Sequence, residues 1–439
     1  MFDFRAHLQI QTVFFKVLFP SFFGREEYHW ANHKLFRGHT FRVTGARAEH
    51  DLLASLRYAK RSLDLIWNQR ESGVSLRSTT FYCHKEKQKN DLIPYLDFVL
   101  QDKLGEGLYR DTMQIGLSFS WKFWMTIQLI FMFPFFLLIT LFSKRKSTIA
   151  LVLLQWTENN IMAQVLACEK VHRVYLFGGY ENDEGITGLF CEKLKVELIL
   201  VPSSNPIKNF YKQVIAHGFV FTSPFQKKEY QELKNAWNVV ELMEWPLPVV
   251  KKLLPFIKNQ DANGNRIAFM SRGVWLRKLR GVHAQNNNRD FEYEEGCMSV
   301  LRDFLKLHPQ YELLLLPHPM ERVNDEFWQK TQDYYNTYFD GIRVVYPKDA
   351  AVPSYQMFDE AQLAIASISS VNIERLFCGF KTLYAPIGAE HEFFSGSSLD
   401  NIVARTPERL MDLLNRSVTM TDDEFFQSFD LEAYRHGKN

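Results

Sequence analysis

The sequence lacks an excess of either charge: 52 Lys and Arg stand against 50 Asp and Glu, a formal net charge of +2 over 439 residues. Such a chain carries no overall basic field of the kind that gathers polyanions, so nucleic acid is not an expected partner. Cysteine is scarce, and Cys83, Cys168, Cys191, Cys297 and Cys378 form no C-x-x-C pair and keep no regular spacing. That argues against a zinc site and a disulfide framework and for a reducing compartment. The N-terminus has no small-residue cleavage site, and Asp3, Arg5 and Lys16 fall within its first stretch, so it does not read as a secretory signal.

What is present is a chain able to bury a core, with 46% apolar and 23% charged residues. Its length suggests two or three folded units. One segment, Phe123 to Phe142, has no charge and is long enough to cross a bilayer, with Lys122 before it and Lys144, Arg145 and Lys146 after it. Basic residues at both ends oppose a simple crossing, and Pro134 near the centre should break or kink a helix. The leading expectation is a re-entrant hairpin or interfacial segment holding the protein on the cytoplasmic side of the inner (plasma) membrane, with the lipid surface as a partner. A true span and a buried core or dimer helix are the alternatives. The aromatic-rich stretch Val13 to Phe23 fits the same interface or a packed helix.

Residues 1–120 read as an accessory region, with a helix in EHDLLASLRYAKRSLDLIWNQ and no chemical motif, and residues 121–146 as the hydrophobic membrane-associated segment. Residues 147–250 then alternate short apolar runs with amphipathic stretches: TIALVLLQW, RVYLFGG, VELILVP, GFVFTS and VVELMEW. Such alternation predicts parallel strands joined by crossover helices. Proline, lysine and the turn sequence DANGN place a linker between Trp245 and Asn265. A second α/β series follows over 260–390, with strands RIAFMS, YELLLLP, IRVVYP, LAIAS and KTLYAP, and a helical tail over 391–439.

In open α/β sheets ligands bind beyond the carboxyl ends of the strands. There the sequence offers Asp183-Glu184-Gly185 after RVYLFGG, His318-Pro319 after YELLLLP and Ser369-Ser370 after LAIAS. Adjacent carboxylates oppose each other's ionisation, which suits one of them to act as a general base. A histidine held beside proline can donate to a phosphate, and an anionic neighbour should favour its protonated form. Two serines at a helix start offer hydroxyls and free backbone N–H groups to an anion. Ser271-Arg272-Gly273 after RIAFMS is a fourth strand end, where Arg272 can grip an anion in bidentate fashion. Glu374 and Arg375, one turn into the helix after the serines, either pair locally or reach a ribose. His308-Pro309 is read as a helix terminus.

The order Asp/Glu-Asp/Glu-Gly, His-Pro, Ser-Ser resembles the motif set of bacterial sialyltransferases and polysialyltransferases and of related CMP-sugar transferases, over roughly Ile149 to Ala389. The resemblance implies a GT-B-like α/β fold: two Rossmann-like domains facing a cleft, acceptor on the first and nucleotide-sugar donor on the second, preceded here by an α-rich N-terminal region. It implies an inverting glycosyltransferase that uses a CMP-sugar donor and a glycan or glycolipid acceptor. Asp183 is the first choice as base, with Glu181 and Glu184 open. His318 would assist the leaving phosphate, and Pro319, Ser369, Ser370, Ser271, Arg272, Gly273 and Glu374 would line the nucleotide. No cofactor is implied, and no Asp-x-Asp pair calls for a metal. The same motifs suit other donors (CMP-Kdo, CDP-glycerol or a UDP-sugar) or a membrane-docked binding protein without turnover.

Overall fold

The computed structural model describes residues 4–18, 20–23, 28, 52–67, 79–82, 95–96, 98–99, 109–110, 118–142, 156–157, 159–161, 163–164, 166, 172–178, 184–202, 215–226, 230–231, 240–258, 264–279, 290–348, 352–390, 394 and 396–436. The chain divides into two compact units, one formed by 1–203, 209–222 and 228–248 and the other by 204–208, 223–227 and 249–439.

The first unit contains, in chain order, helix α1 (Phe4–Leu18), α2 (Leu52–Trp67), strands β1 (Thr79–Tyr82) and β2 (Tyr109–Arg110), α3 (Phe119–Phe142), β3 (Arg173–Gly178), α4 (Glu184–Leu194), β4 (Glu197–Pro202), β5 (Gly218–Phe221) and β6 (Glu241–Glu244). Its sheet is parallel, in the order β2-β1-β3-β4-β5-β6. Residues read as an accessory region therefore supply two strands, with Thr79 opposite Arg173 in register. The expected strand TIALVLLQW lies outside the described residues up to Gln155, and Trp156 is helical.

Buried positions on α1 (Ile10, Val13, Phe14, Val17) and on α3 (Trp121, Met125, Leu129) recur every three or four residues, the spacing of a single helix face. Those faces share a core with Leu198 and Leu200 of β4 and Phe219 of β5. Polar groups inside it are joined: Trp156 donates to Gln11 Oε1 at 2.9 Å, and Gln11 Nε2 donates to Asn160 Oδ1 at 2.6 Å. The break expected at Pro134 is absent, because α3 runs from Phe119 to Phe142 with Pro134 inside it. A proline removes one helical hydrogen bond and strains one turn, at a cost of about 3 kcal/mol. The turn before it is held by the core, with Leu129 buried and Met132 and Phe133 packed against the cluster. A hairpin folded at Pro134 is thus corrected to one continuous helix. Side chains of α3 are described to residue 134, and among the described residues no helix is long and apolar enough to cross a membrane.

The second unit contains β7 (Arg266–Met270), α5 (Val274–Leu279), α6 (Asp290–Leu307), β8 (Glu312–Leu316), α7 (Asp325–Tyr338), β9 (Val344–Val345), β10 (Leu363–Ala366), α8 (Val371–Phe377), β11 (Lys381–Tyr384), α9 (Pro407–Thr419) and α10 (Asp422–Ser428). Its parallel sheet is ordered β11-β10-β7-β8-β9. Counted within the unit this is the 3-2-1-4-5 order of a mononucleotide-binding α/β half, whose direction reverses between β7 and β10. Every strand of the sheet core is buried on both faces, as parallel sheets require. The last helices are not a free tail: the buried Lys381 at the head of β11 donates to Ser417 O near the end of α9 at 2.8 Å, and Lys258 pairs with Asp422 of α10.

Both sheets are clamped at the amino ends of their strands. Arg173, first in β3, bonds Glu197 of β4 at 2.7 Å and Glu241 of β6 at 3.0 Å. Arg266, first in β7, bonds Glu312 of β8 at 3.2 Å and Glu360 at 2.6 Å.

Candidate functional site

At the opposite ends of β8, β7 and β10, three neighbouring strands, the sheet releases three loops that carry sequence-predicted residues. After β7, Ser271 and Gly273 are buried and Arg272 half-buried. Gly273 has φ +67°, a left-handed conformation that suits glycine, and a Cβ there would come within 3.3 Å of the His318 Cβ. The Ser271–Gly273 loop thus lies directly against His318. It is tied down by Gly273 N–H donating to Ser271 Oγ at 2.9 Å and Arg272 N–H donating to Glu294 Oε2 of α6 at 3.1 Å.

After β8, the extended His318 is followed by Pro319, which opens a tight turn through Arg322. Glu321 accepts the His318 backbone N–H at 2.7 Å, and His318 Nδ1 accepts the Met320 N–H at 3.1 Å. This reciprocal pairing is a capping box built on histidine. It has a chemical consequence. With its lone pair engaged by Met320 N–H, Nδ1 acts as an acceptor, which leaves Nε2 as the ring's hydrogen-bond donor.

After β10, Ser367 and Ile368 are buried, and Ser369 and Ser370 are half-buried at the start of α8. Ser369 Oγ accepts the Val371 N–H at 3.3 Å, whereas the Ser370 hydroxyl makes no capping bond. Glu374 follows one turn later, where burial pushes its carboxyl up to about 7 against the opposing pull of Lys252. Arg375 neither pairs with Glu374 nor reaches outward. It is fully buried, donates to the carbonyls of Lys381 (3.0 Å), Phe358 (2.5 Å) and Ala361, and lies over the rings of Phe358 and Phe380. His308 ends α6 with its ring 4.4 Å from that of Phe304.

Glu181 and Asp183 lie outside the described residues; Glu184 opens α4, with its side chain outside them. Among the described residues no cluster of three His, Cys, Asp or Glu could hold a metal.

Sequence reasoning missed the layer beneath these loops: Glu294, Glu321 and Tyr335 are 3%, 0% and 0% exposed. Signals existed. Glu294 sits on the apolar face of α6 with the buried Cys297, Met298 and Leu301, at i+3, i+4 and i+7. Glu321 follows His318 at the spacing of a capping box.

No protein-family model and no curated protein matches the chain. Solved structures do. A putative UDP-N-acetylglucosamine 2-epimerase from Listeria monocytogenes is 12% identical, over 81% of this chain and 90% of that one, with a TM-score of 0.47. The UDP-GlcNAc 2-epimerase from Neisseria meningitidis bound to UDP-GlcNAc is 11% identical, over 82% and 94%, at 0.46. A Thermobaculum terrenum O-GlcNAc transferase mutant is 11% identical, over 98% and 81%, at 0.41. At these identities and scores the likeness carries no argument about what this chain does.

Proposed function

We propose that the chain is an inverting glycosyltransferase of the GT-B kind that moves sialic acid or a related sugar from a CMP-activated donor to a glycan or glycolipid acceptor of a cell-surface polysaccharide. The observation that carries this reading is the convergence of Ser271–Gly273, His318-Pro319 and Ser369-Ser370 at adjacent strand ends around the reversal point of a 3-2-1-4-5 sheet. That is where such sheets bind nucleotides. A carboxylate of the 181–184 stretch, Asp183 by preference, takes the proton of the acceptor hydroxyl. The acceptor oxygen attacks the anomeric carbon from the face opposite CMP. As the bond from that carbon to the phosphate oxygen breaks, its electron pair stays on CMP, where His318 Nε2–H, the two serine hydroxyls and Arg272 stabilise the added charge. Donors in preorganised positions act most strongly where charge develops. Glu374 is assigned to the ribose hydroxyls.

The membrane surface is the proposed location, on the cytoplasmic side, reached by peripheral contact. Neither α1 nor α3 contains an acidic residue, and each presents large apolar side chains to solvent, among them Phe4, Leu8 and Phe15 on α1 and Phe123, Ile130 and Phe131 on α3. Arg5, Lys16 and Lys193 border a groove of about 360 Å³ beside Phe4 and Leu8. An apolar face edged with cations suits an anionic lipid interface.

The test is a thermal-shift comparison of CMP, UMP, UDP, UDP-GlcNAc and GDP. A ligand selective for the folded state adds about 2.7 kcal/mol at a hundredfold excess over its Kd. Stabilisation by CMP alone supports the donor class; stabilisation by uridine nucleotides alone moves the reading to a UDP-sugar enzyme, and by none of them refutes a nucleotide site.

A further inference from the structure

Beneath the two loops that meet at Gly273 and His318 runs a hydrogen-bonded line of four side chains, none contacting solvent appreciably. Tyr335 Oη lies 2.6 Å from Ser271 Oγ and 3.0 Å from Glu321 Oε1, while Ser271 Oγ lies 3.4 Å from Glu294 Oε1, the longest link. At its ends, Glu294 Oε2 accepts the Arg272 N–H and Glu321 Oε2 accepts the His318 N–H. Each carboxyl therefore holds the backbone of one ligand-facing loop and is joined to the other carboxyl through two hydroxyls.

Counting hydrogens constrains the line. It has three contacts, Glu294–Ser271, Ser271–Tyr335 and Tyr335–Glu321. The two hydroxyl hydrogens fill the two short contacts, and the 3.4 Å contact to Glu294 becomes a hydrogen bond when a carboxyl brings a third hydrogen. With the proton on Glu294, Glu294 donates to Ser271, Ser271 to Tyr335 and Tyr335 to the Glu321 carboxylate. If every hydrogen shifts one place, Glu321 is the acid and Glu294 the carboxylate; one proton has moved and none has been lost.

We infer that Glu294, Ser271, Tyr335 and Glu321 form a buried single-proton relay that locks the Ser271–Gly273 loop to the His318-Pro319 turn, making Tyr335 and Glu321 positioning residues for the His318 Nε2–H. The inference rests on the proposed nucleotide site for its purpose and on geometry for its existence. The surroundings favour one shared negative charge. Burial first, and the facing Glu321 second, push the Glu294 carboxyl up to about 8, and burial raises Glu321 as well. The other titratable or charged groups facing the line are Arg272 from the β7 loop, Cys297 one turn along α6 and Tyr334 on α7. Arg272 is the cation among them.

The relay makes a prediction that ordinary packing does not. Glu294→Gln and Glu321→Gln each mimic a protonated carboxyl, so either alone leaves three hydrogens for three contacts. Together they supply four, and one contact must break. The full-length chain and these variants are compared by melting temperature, by CMP and UDP affinity, and by NMR of isotope-labelled histidine, the His318 signal being assigned through His318→Ala. Each single amide is expected to keep the Nε2–H tautomer and nucleotide affinity within about threefold, while the double amide loses about tenfold and more melting temperature than the two singles summed, as coupled sites do. Tyr335→Phe cuts the line and should move the His318 signal toward the average of two tautomers. Additive single effects, or an unchanged His318 tautomer in Tyr335→Phe, overturns the relay. Should the wild-type chain bind no nucleotide, the proposed function fails while the tautomer and the melting temperatures still decide the relay.

Discussion

Both sheets build their central strand on the same opening, an arginine (Arg173 or Arg266) bonded to the glutamate that opens the next strand, and both continue with a run of buried apolar residues. They differ in what they bury elsewhere. Among the described residues the first unit encloses neutral amides and hydroxyls (Asn159, Asn160, Gln164, Thr187) together with His7, whereas the second encloses Glu294, Glu321, Arg375 and Lys381. Buried ionisable groups are costly unless bonded, so a chain that keeps four in one unit has committed that unit's loops to fixed positions. In the proposed reaction this suits a phosphate site, which must be in place before charge develops.

The sharpest way to break the comparison is to remove a donor on the second sheet. His318→Ala is expected to lower turnover by about 10²–10³-fold, the loss typical of one preorganised hydrogen bond. Its melting temperature should stay close to wild type, and His308→Ala should remain active. Equal losses of activity and stability would assign His318 a structural role. On the first unit, Asp183→Asn should abolish turnover and leave CMP affinity near normal, measured by calorimetry; if affinity fell equally, the division of roles would be wrong.

Gly273→Ala comes next. The left-handed backbone costs a non-glycine residue about 1–2 kcal/mol, and the new methyl meets His318. Urea denaturation should show that loss, and nucleotide affinity should fall with it.

Glu294 gives a smaller effect with a definite sign. Its carboxyl titrates at about 8 in the folded chain against a reference of 4.5. Between those values the unfolded chain has released a proton that the folded chain retains, so stability declines as pH rises across the window and levels off above it. Glu294→Gln should flatten that slope in denaturation curves taken from pH 5 to pH 8; an unchanged slope would assign the dependence elsewhere.

The smallest effects belong to the shared feature. Glu197→Gln and Glu312→Gln should each cost no more than about 1 kcal/mol, since partly exposed ion pairs are screened, with the Glu312 variant the costlier because its side chain is less exposed. Turnover should not change. The Arg173 hydrogen bond, foremost, holds the Glu197 carboxyl below its ordinary range, so the first clamp is lost as pH falls through that lowered value.

Much of this architecture was written in hydrophobic pattern. RVYLFGG, VELILVP, GFVFTS and VVELMEW became β3 to β6, and the five apolar runs after Asn265 became β7 to β11. Each is a compact apolar run, the signal a doubly covered parallel strand gives. The strands β1 and β2 escaped notice because TTFY and YR are too short and too polar to show a period. The continuity of α3 through Pro134 was hidden for a different reason: local sequence reports the strain at proline but not the packing of Trp121, Met125 and Leu129 earlier in the helix. At the site, the residues after each strand could be found from chain order alone. Their supports could not, because Glu294 and Tyr335 approach Ser271 across 23 and 64 residues of sequence.

Lys381 bears on where this chain can be cut. Lys381 is 4% exposed at the head of an edge strand, and its ammonium is bonded to Ser417 O near the close of α9. A protein trimmed after residue 390 would keep every strand of the second sheet but lose both the acceptor of that cation and the polypeptide packed over it. Boundaries drawn by strand count would therefore uncover the sheet's last strand, whereas boundaries that retain α9 and α10 keep it tied to the polypeptide that completes it.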